Sequence, residues 1–240
     1  MSDTQHIRHP RQVDAGNSAA VEDYAKAVYS LSRHDESPVT TSALAERLGV
    51  SPGSVTAMLK RMAELKLVAH EPYHGVTLTE TGERVALEVI RHHRLIESYL
   101  AEALGMSWDR VHEEAEVLEH YISEDLEERI ALALGNPTRD PHGDPIPDRE
   151  LELGTETGVA LAELEPGGEG VFGRVSDSDP EMLRYLDERE IRPGTRLRVT
   201  GRQPFGGPML VEFEGREHAI GDELARRILV DPSAVSSSLG

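Results

Sequence analysis

The sequence predicts a mainly α-helical chain that closes with a small β domain, and three observations carry that prediction. Up to about residue 134 apolar residues recur at helical spacing, as with Tyr24, Val28 and Leu31. Residues 136–147 then hold four prolines in twelve positions. Proline fixes φ and lacks an N–H, so this stretch is a connector rather than an element. Beyond it the pattern changes to short alternating runs, such as 170–175 and 209–213, which is the period of half-buried strands.

Taken in order, residues 1–17 lack periodicity and read as a disordered tail, as do 233–240. Residues 21–32 are the first expected helix. Residues 41–48 are a second, entered through Thr40, Thr41 and Ser42 as cap candidates. Gly49-Val50-Ser51-Pro52 is a tight turn in which Ser51 caps and Pro52 takes the first position of a third helix, running to about Leu65. Residues 67–71 and 76–79 read as short strands joined through Pro72-Tyr73-His74-Gly75. A long helix starts at Thr81 and reaches about Leu104, and 108–134 supply one or two more. In the last part, runs at 159–164, 170–175, 196–200 and 209–213 are expected strands, interrupted by one helix over 180–190.

Composition narrows the function. The chain has 240 residues, 44 acidic against 25 basic side chains, a net charge of −19 and no cysteine. That excludes disulfides, Cys-type zinc fingers, iron–sulfur ligation and thiol catalysis. No apolar run is long enough to span a bilayer and the N-terminus has no secretory apolar core, so a soluble cytoplasmic protein without a membrane partner is expected. A charge of −19 argues against nucleic acid as a partner. It is uneven, however: residues 1–84 carry 9 Lys+Arg and 11 Asp+Glu, and the other 16 basic and 33 acidic groups lie beyond. The near-neutral first third and the acidic remainder therefore point to different partners.

Helix, short Gly-containing turn, second helix and hairpin together make a winged helix-turn-helix. Ala45, Leu48, Val50, Val55 and Leu59 are small or apolar where two crossing helices must touch. Ser51, Pro52, Ser54, Thr56, Lys60 and Arg61 lie where the second helix would face a major groove. Short hydroxyls at a helix N-terminus suit phosphate contact and close approach to bases, and Lys60 and Arg61 would meet phosphate. The plainer alternative is a helical hairpin whose serines only cap.

The second signal is Val111-His-Glu-Glu-Ala-Glu-Val-Leu-Glu-His120. Glu116, Glu119 and His120 share one helix face, with His112 one turn earlier. Upstream, His93 and Glu97 are another i, i+4 pair. Two such helices can build metal sites between them, and carboxylates with imidazole suit manganese or ferrous iron. The alternative is a solvated acidic face carrying stray histidines. The HEXXH order is absent, so a hydrolytic zinc site is not expected.

These features, with Arg139-Asp-Pro-His-Gly-Asp-Pro-Ile-Pro147, resemble the diphtheria toxin repressor family over about residues 20–232, and most of all its manganese transport regulator branch with a third domain. The resemblance implies a metal-dependent dimeric repressor of operator DNA, not an enzyme. It implies a winged helix at 18–84, a helical metal-binding and dimerisation domain with connector at 85–153, and an SH3-like domain, also found in FeoA proteins, at 154–232. Iron-responsive members carry Met and Cys where this chain has Asp23 and Glu116; exchanging sulfur for carboxylate favours Mn²⁺, with Fe²⁺ or another divalent transition metal as the alternative. The implied primary site is Asp23, Glu116, Glu119 and His120. The implied second site is His93, Glu97 and His112, completed from the third domain by Asp177, Asp179 or Glu181. Asp179 reads equally well as a helix N-cap before Pro180. Two-domain manganese regulators carry a glutamate where this chain has Lys26, which would repel a second cation. A metal joining Asp23 to Glu116, Glu119 and His120 would fix the angle between the DNA-binding and dimer domains. Val89, Leu100, Leu118, Ile122 and Ile130 are the expected dimer face. A competing class, a metal-dependent hydrolase or oxygenase, needs an open coordination position and a neighbouring base, and no nucleophile motif is present. A metal-transport accessory role would require the FeoA-like part to dominate.

Overall fold

The computed structural model describes residues 15–33, 38–71, 75–154, 158–177 and 179–232. Of the tail expected over 1–17, residues 1–14 lie outside them and 15–17 belong to the first helix, while the C-terminal residues from 233 and the turn over 72–74 also lie outside. The chain divides into two compact units, 1–90 and 91–240.

In the first unit, α1 (Ala15–Ser32), α2 (Thr41–Leu48) and α3 (Pro52–Glu64) precede an antiparallel hairpin of β1 (Val68–Glu71) and β2 (Gly75–Leu78). α1 begins ahead of the expected residue 21. Ala15, Ala19 and Ala20 add no apolar stripe, but alanine is the best helix former and extends the helix without one. Thr40 caps α2 by accepting from the Ala43 N–H, and Ser51 caps α3 by accepting from the Ser54 N–H with Pro52 next in line. Between them Gly49 has φ +64° and donates back to the Ala45 and Glu46 carbonyls. This left-handed cap lets α3 leave at once across α2. Tyr24, Ala25 and Val28 of α1, Leu44 of α2, Val55, Leu59 and Met62 of α3 and Val68 and Val76 of the hairpin form one core. A buried leucine here contributes about 1.5–3 kcal/mol.

The long helix α4 (Glu80–Glu102) crosses from the first unit into the second. The second unit continues with α5 (Val111–Leu118) and α6 (Glu124–Ala133), the latter capped by Ser123. The proline-rich connector follows. The β part holds β3 (Val159–Ala160), β4 (Glu169–Val175), α7 (Pro180–Asp187), β5 (Arg196–Arg202), β6 (Met209–Phe213), β7 (Arg216–Ile220), α8 (Asp222–Arg227) and β8 (Ile228–Asp231). Its strands form one antiparallel sheet in the order β3-β8-β4-β5-β6-β7. Alternate residues Leu197 and Val199 of β5 and Met209, Val211 and Phe213 of β6 face a core completed by Leu183 and Leu186 of α7, and by Trp108 from ahead of α5. Four elements differ from expectation. Residues 161–163 turn into a 3₁₀ helix. β7 is missed because Arg216-Glu-His-Ala-Ile carries little apolar alternation, and α8 with β8 because their polar and apolar runs are short.

The expected dimer residues need correction. Leu100 and Ile122 pack inside the second unit with Ile96, Val111 and Ala115, and Ile130 packs with Leu95 and Ile146. Sequence periodicity marks a buried face without saying whether the same chain buries it. The large apolar side chains left exposed near α5 and α6 are Val117, Leu118, Tyr121, Leu126 and Leu132. No described helix is long and apolar enough to cross a membrane.

Candidate metal centre

α4 places His93 and Glu97 one turn apart and both buried. His93 Nε2 lies 3.0 Å from Glu97 Oε1. α5 starts at Val111, so His112 projects from its first turn toward the same point. Its Nδ1 is 3.1 Å from His93 Nε2, 3.3 Å from Glu97 Oε1 and 3.0 Å from Asp177 Oδ2. Asp177 arrives from the segment between β4 and α7. The β part therefore supplies one carboxylate to a group whose other members are helical. Asp179 instead accepts from the Glu181 and Met182 N–H groups, which makes it the N-cap of α7, and Glu181 occupies that helix's first turn. Of the three third-domain candidates, Asp177 is the one whose ligand atom lies within 4.8 Å of those of His93, Glu97 and His112.

Two residues of this region had no ligand role in the sequence reading. The connector puts Asp140 and His142 behind Glu97, both buried. Asp140 Oδ1 accepts from the His142 and Asp144 N–H groups at 2.8 and 2.9 Å. His142 Nε2 lies 2.8 Å from the Trp108 carbonyl, with its ring stacked 5.8 Å from that indole. A carbonyl only accepts, so Nε2 carries the proton there. Its Nδ1 faces Glu97 Oε2 at 3.8 Å, and neither atom has a hydrogen-bond partner among the described residues. Buried polar groups are rarely left so. An imidazole nitrogen and a carboxylate oxygen orphaned face to face fit a divalent cation. The available sequence signal was the one His-bearing stretch, Asp140-Pro-His142-Gly143, inside a proline-rich connector.

The connector is held in place by its backbone. The Val175 N–H donates to the His142 carbonyl at 3.0 Å. Gly143, at φ +91°, lies so close to β4 that a Cβ would fall 2.0 Å from the Gly173 carbonyl oxygen. Asp144 pairs with Arg94 at 3.2 Å and with Arg174 at 2.8 Å.

The electrostatics follow from this crowding. His112 is pushed up to about 10 by its bonds to Asp177 and Glu97, against burial. Burial would lower His142, but attraction to Glu97 and Asp140 carries it up to about 9. Burial also works against the Asp177 carboxylate, yet the His112 contact holds it at about 2. Glu97, despite burial, is held well below the usual carboxylate range by His93, His112 and His142. Asp140 goes the other way, raised by burial and by the charges of Glu97 and Asp144. The group thus concentrates negative charge, offset by protons on histidine and by the Arg94 guanidinium 3.8 Å from Asp140 Oδ2.

A second group stands one helical turn further along α5. Glu119 is buried, with Oε2 2.5 Å from His93 Nδ1. Glu116 Oε1 lies 3.7 Å from the same nitrogen, and His120 Nε2 lies 3.6 Å from Glu119 Oε1. His93 consequently stands between the two groups with one ring nitrogen toward each. His92 braces Glu119 from behind, its Nδ1 3.2 Å from the Glu119 carbonyl and its Nε2 3.0 Å from Glu127 Oε2. Asp23, the remaining residue assigned to this set, is half-buried on α1 of the first unit.

On α3 the residues expected to face a groove are exposed: Ser51, Pro52, Ser54, Thr56 and Lys60, with Arg61 half-buried. Ser51 and Ser54 Oγ atoms are 2.9 Å apart, and the Thr56 hydroxyl donates to the Pro52 carbonyl. Ser51 therefore caps the helix while remaining on its outer surface.

Comparison with known proteins adds to this geometry. Residues 18–76 match the model of the iron-dependent repressor N-terminal DNA-binding domain, 79–148 that of the iron-dependent repressor metal-binding and dimerisation domain, and 159–232 the FeoA domain. The iron-dependent repressor IdeR of Mycobacterium bovis is 33% identical over 222 residues, covering 87% of this chain and 95% of that one. The diphtheria toxin repressor of Corynebacterium efficiens is 29% identical over 221 residues, covering 87% and 93%. Among solved structures, a manganese-dependent transcriptional repressor in complex with manganese superposes with a TM-score of 0.80 at 40% identity, covering 88% of this chain and 99% of that one. The manganese regulator SloR gives 0.69 at 31%, covering 88% and 98%.

Proposed function

The chain belongs to the metal-dependent transcriptional repressors of the diphtheria toxin repressor family, and we propose that manganese activates it and that it holds operator DNA as a homodimer. The observation that carries manganese is the donor chemistry. Glu116, Glu119 and His120 gather beside His93 in a chain without cysteine, which makes a set of hard oxygens and imidazole. The structural relatives named for manganese support this, while IdeR, named for iron, keeps Fe²⁺ as the alternative.

In this reading the primary ligands are Asp23, Glu116, Glu119 and His120, Asp23 entering through the family resemblance alone. The second set is His93, Glu97, His112 and Asp177, with Asp140 and His142 at the back of Glu97. A bound divalent cation supplies the positive charge that lets these carboxylates share one site. Everything else is done by the chain. His93 holds Glu119 in place and His92 fixes the turn beneath it. Asp177 carries any tightening of the second set into the β part. Regulation is then differential affinity: the arrangement that fits DNA is the one in which the ligands converge, and DNA must raise metal affinity by the same factor. α3 enters the major groove with Ser51, Pro52, Ser54 and Thr56 foremost, and Lys60 and Arg61 take phosphate. The exposed Leu118, Tyr121, Leu126 and Leu132 offer apolar surface for the dimer. The repressor works in the cytoplasm, on DNA that controls metal-ion homeostasis.

An anaerobic mobility-shift titration of Mn²⁺ and Fe²⁺, on a site selected from random DNA by the manganese-loaded chain, tests this. Manganese should drive binding at lower concentration than iron. Glu119→Ala should lose the response, worth about 5–150-fold in DNA affinity. Equal binding in chelator, or a response to Fe²⁺ alone, would sink the manganese reading.

A further inference from the structure

Two of the primary ligands, Glu119 and His120, lie past the regular end of α5. The helix closes at Leu118, and 119–121 form a turn. That turn is held by the Glu119 N–H on the Ala115 carbonyl at 2.9 Å and the Tyr121 N–H on the Leu118 carbonyl at 3.0 Å. The last carbonyls of a helix find no partner within it, so helical geometry alone does not fix the Glu119 backbone. A contact from α4 reaches it: His92, buried, sets Nδ1 3.2 Å from the Glu119 carbonyl.

His92 is in turn held by Glu127 of α6 and, behind it, Arg91 of α4. Its Nε2 lies 3.0 Å from Glu127 Oε2. The other carboxylate oxygen, Glu127 Oε1, accepts from Arg91 Nε at 2.5 Å, and Arg91 Nη1 donates to the Pro147 carbonyl at 2.6 Å. Arg91 is buried and the Glu127 side chain is 14% exposed. Burial works against the Glu127 carboxylate, yet its bonds to His92 and Arg91 hold it below the usual carboxylate range. One run of bonds therefore leads from the last proline of the connector, through Arg91, Glu127 and His92, to the backbone of Glu119.

We infer that Glu127 is a positioning residue for the primary metal site: it holds the His92 ring against the Glu119 carbonyl, and through Arg91 it makes that hold depend on how the connector sits at Pro147. This rests on the reading of Glu116, Glu119 and His120 as primary ligands given above. The connector that carries Asp140 and His142 behind Glu97 thereby reaches the primary ligands as well.

Calorimetric titration of Mn²⁺ into the metal-stripped full-length chain tests this, with His112→Ala as the background in which the primary site is read by itself. Glu127→Leu, of similar size but without hydrogen bonds, should weaken that site by about 10–100-fold. Glu127→Gln should bind as the parent does. Its amide oxygen accepts from Arg91 and its N–H donates to His92 Nε2, while His92 Nδ1–H stays on the Glu119 carbonyl. His92→Leu, which leaves the Arg91–Glu127 pair whole, should weaken the site as Glu127→Leu does. Arg91→Met should weaken it too, and adding it to Glu127→Leu should weaken it no further, since both break one run of bonds. With His112 intact, Glu127→Leu should leave Mn²⁺ binding at the second site unchanged, whereas a general loss of stability weakens both. Full primary binding in Glu127→Leu, no rescue by Glu127→Gln, or equal weakening at both sites overturns the positioning role. Additive effects of Arg91→Met and Glu127→Leu overturn the route from the connector. Glu119→Ala separates these failures from that of the site: if it also binds Mn²⁺ fully, the primary ligands themselves are misassigned. Removing one partner of a buried pair leaves an uncompensated charge, so if Glu127→Leu does not fold, the Arg91→Met/Glu127→Leu chain and His92→Leu decide.

Discussion

His142 shows how one side chain ties the connector to the chemistry: its Nε2–H is spent on the Trp108 carbonyl, so its other nitrogen can only look toward Glu97. Without metal that nitrogen takes a proton, as His112 does, and the raised values of about 9 and about 10 become a statement about stability. Both lie above the roughly 6.5 of an unfolded histidine. A group whose folded pKa is raised contributes fully below its unfolded value and loses that contribution as pH climbs through the folded one. Asp177, held at about 2, contributes above its unfolded value of about 4 and loses it on acidification through 2. The metal-free chain should therefore melt highest between about pH 4 and 6.5 and lose stability from there toward pH 10. Thermal melts in chelator across that range would show it, and a flat or rising profile would contradict the protonated histidines.

Among the elements, two glycines carry positional demands of different kinds. Gly49 needs only its left-handed φ, since nothing lies within 4 Å of a Cβ there. Gly49→Ala should thus cost about 1–2 kcal/mol in denaturant unfolding and leave bound metal unchanged. Gly143 is constrained by space, with the Gly173 carbonyl oxygen 2.0 Å from a Cβ. Gly143→Ala must push the connector off β4 and carry His142 and Asp140 with it. Mn²⁺ binding at the second centre should weaken by about 10–100-fold, the usual effect of disturbing what supports a ligand. The Glu116, Glu119 and His120 group, on another element, should keep its affinity in the same calorimetric titration. Helices α2 and α3 are readable from sequence almost to the residue because caps and Pro52 mark their ends. β7, with no apolar alternation to read, is fixed instead by its pairing with β6.

For the whole molecule the question is how a chain of net charge −19 binds a polyanion. The excess is carried beyond residue 84, and α3 offers the exposed Lys60 beside the half-buried Arg61. Few phosphates are then neutralised per protomer, so the affinity should fall only gently with salt. Lys60→Ala should weaken binding to all sequences alike and flatten the log–log salt slope by about 1 per protomer. An unchanged slope would take Lys60 off the phosphate backbone.

What the sequence determined by itself was local. Cap residues and periodicity marked α2, α3 and α4, the i, i+4 spacing put His93 with Glu97 and His112 with Glu116, and the absence of cysteine set the donor type. It could not decide between Asp177 and Asp179, since both precede Pro180 and either can cap or ligate. Only the fold shows Asp179 bonded to the first turn of α7 and Asp177 free to reach His112. Nor could it distinguish an apolar helix face buried by its own chain, as at Leu100 and Ile122, from one held for a partner. Asp140 and His142 were hidden for the same reason. Their approach to Glu97, more than forty residues away along the chain, depends on a connector pinned to β4 by one hydrogen bond and one glycine. Spacing along a helix is a property of the backbone and can be read from sequence; closeness across elements is a property of packing.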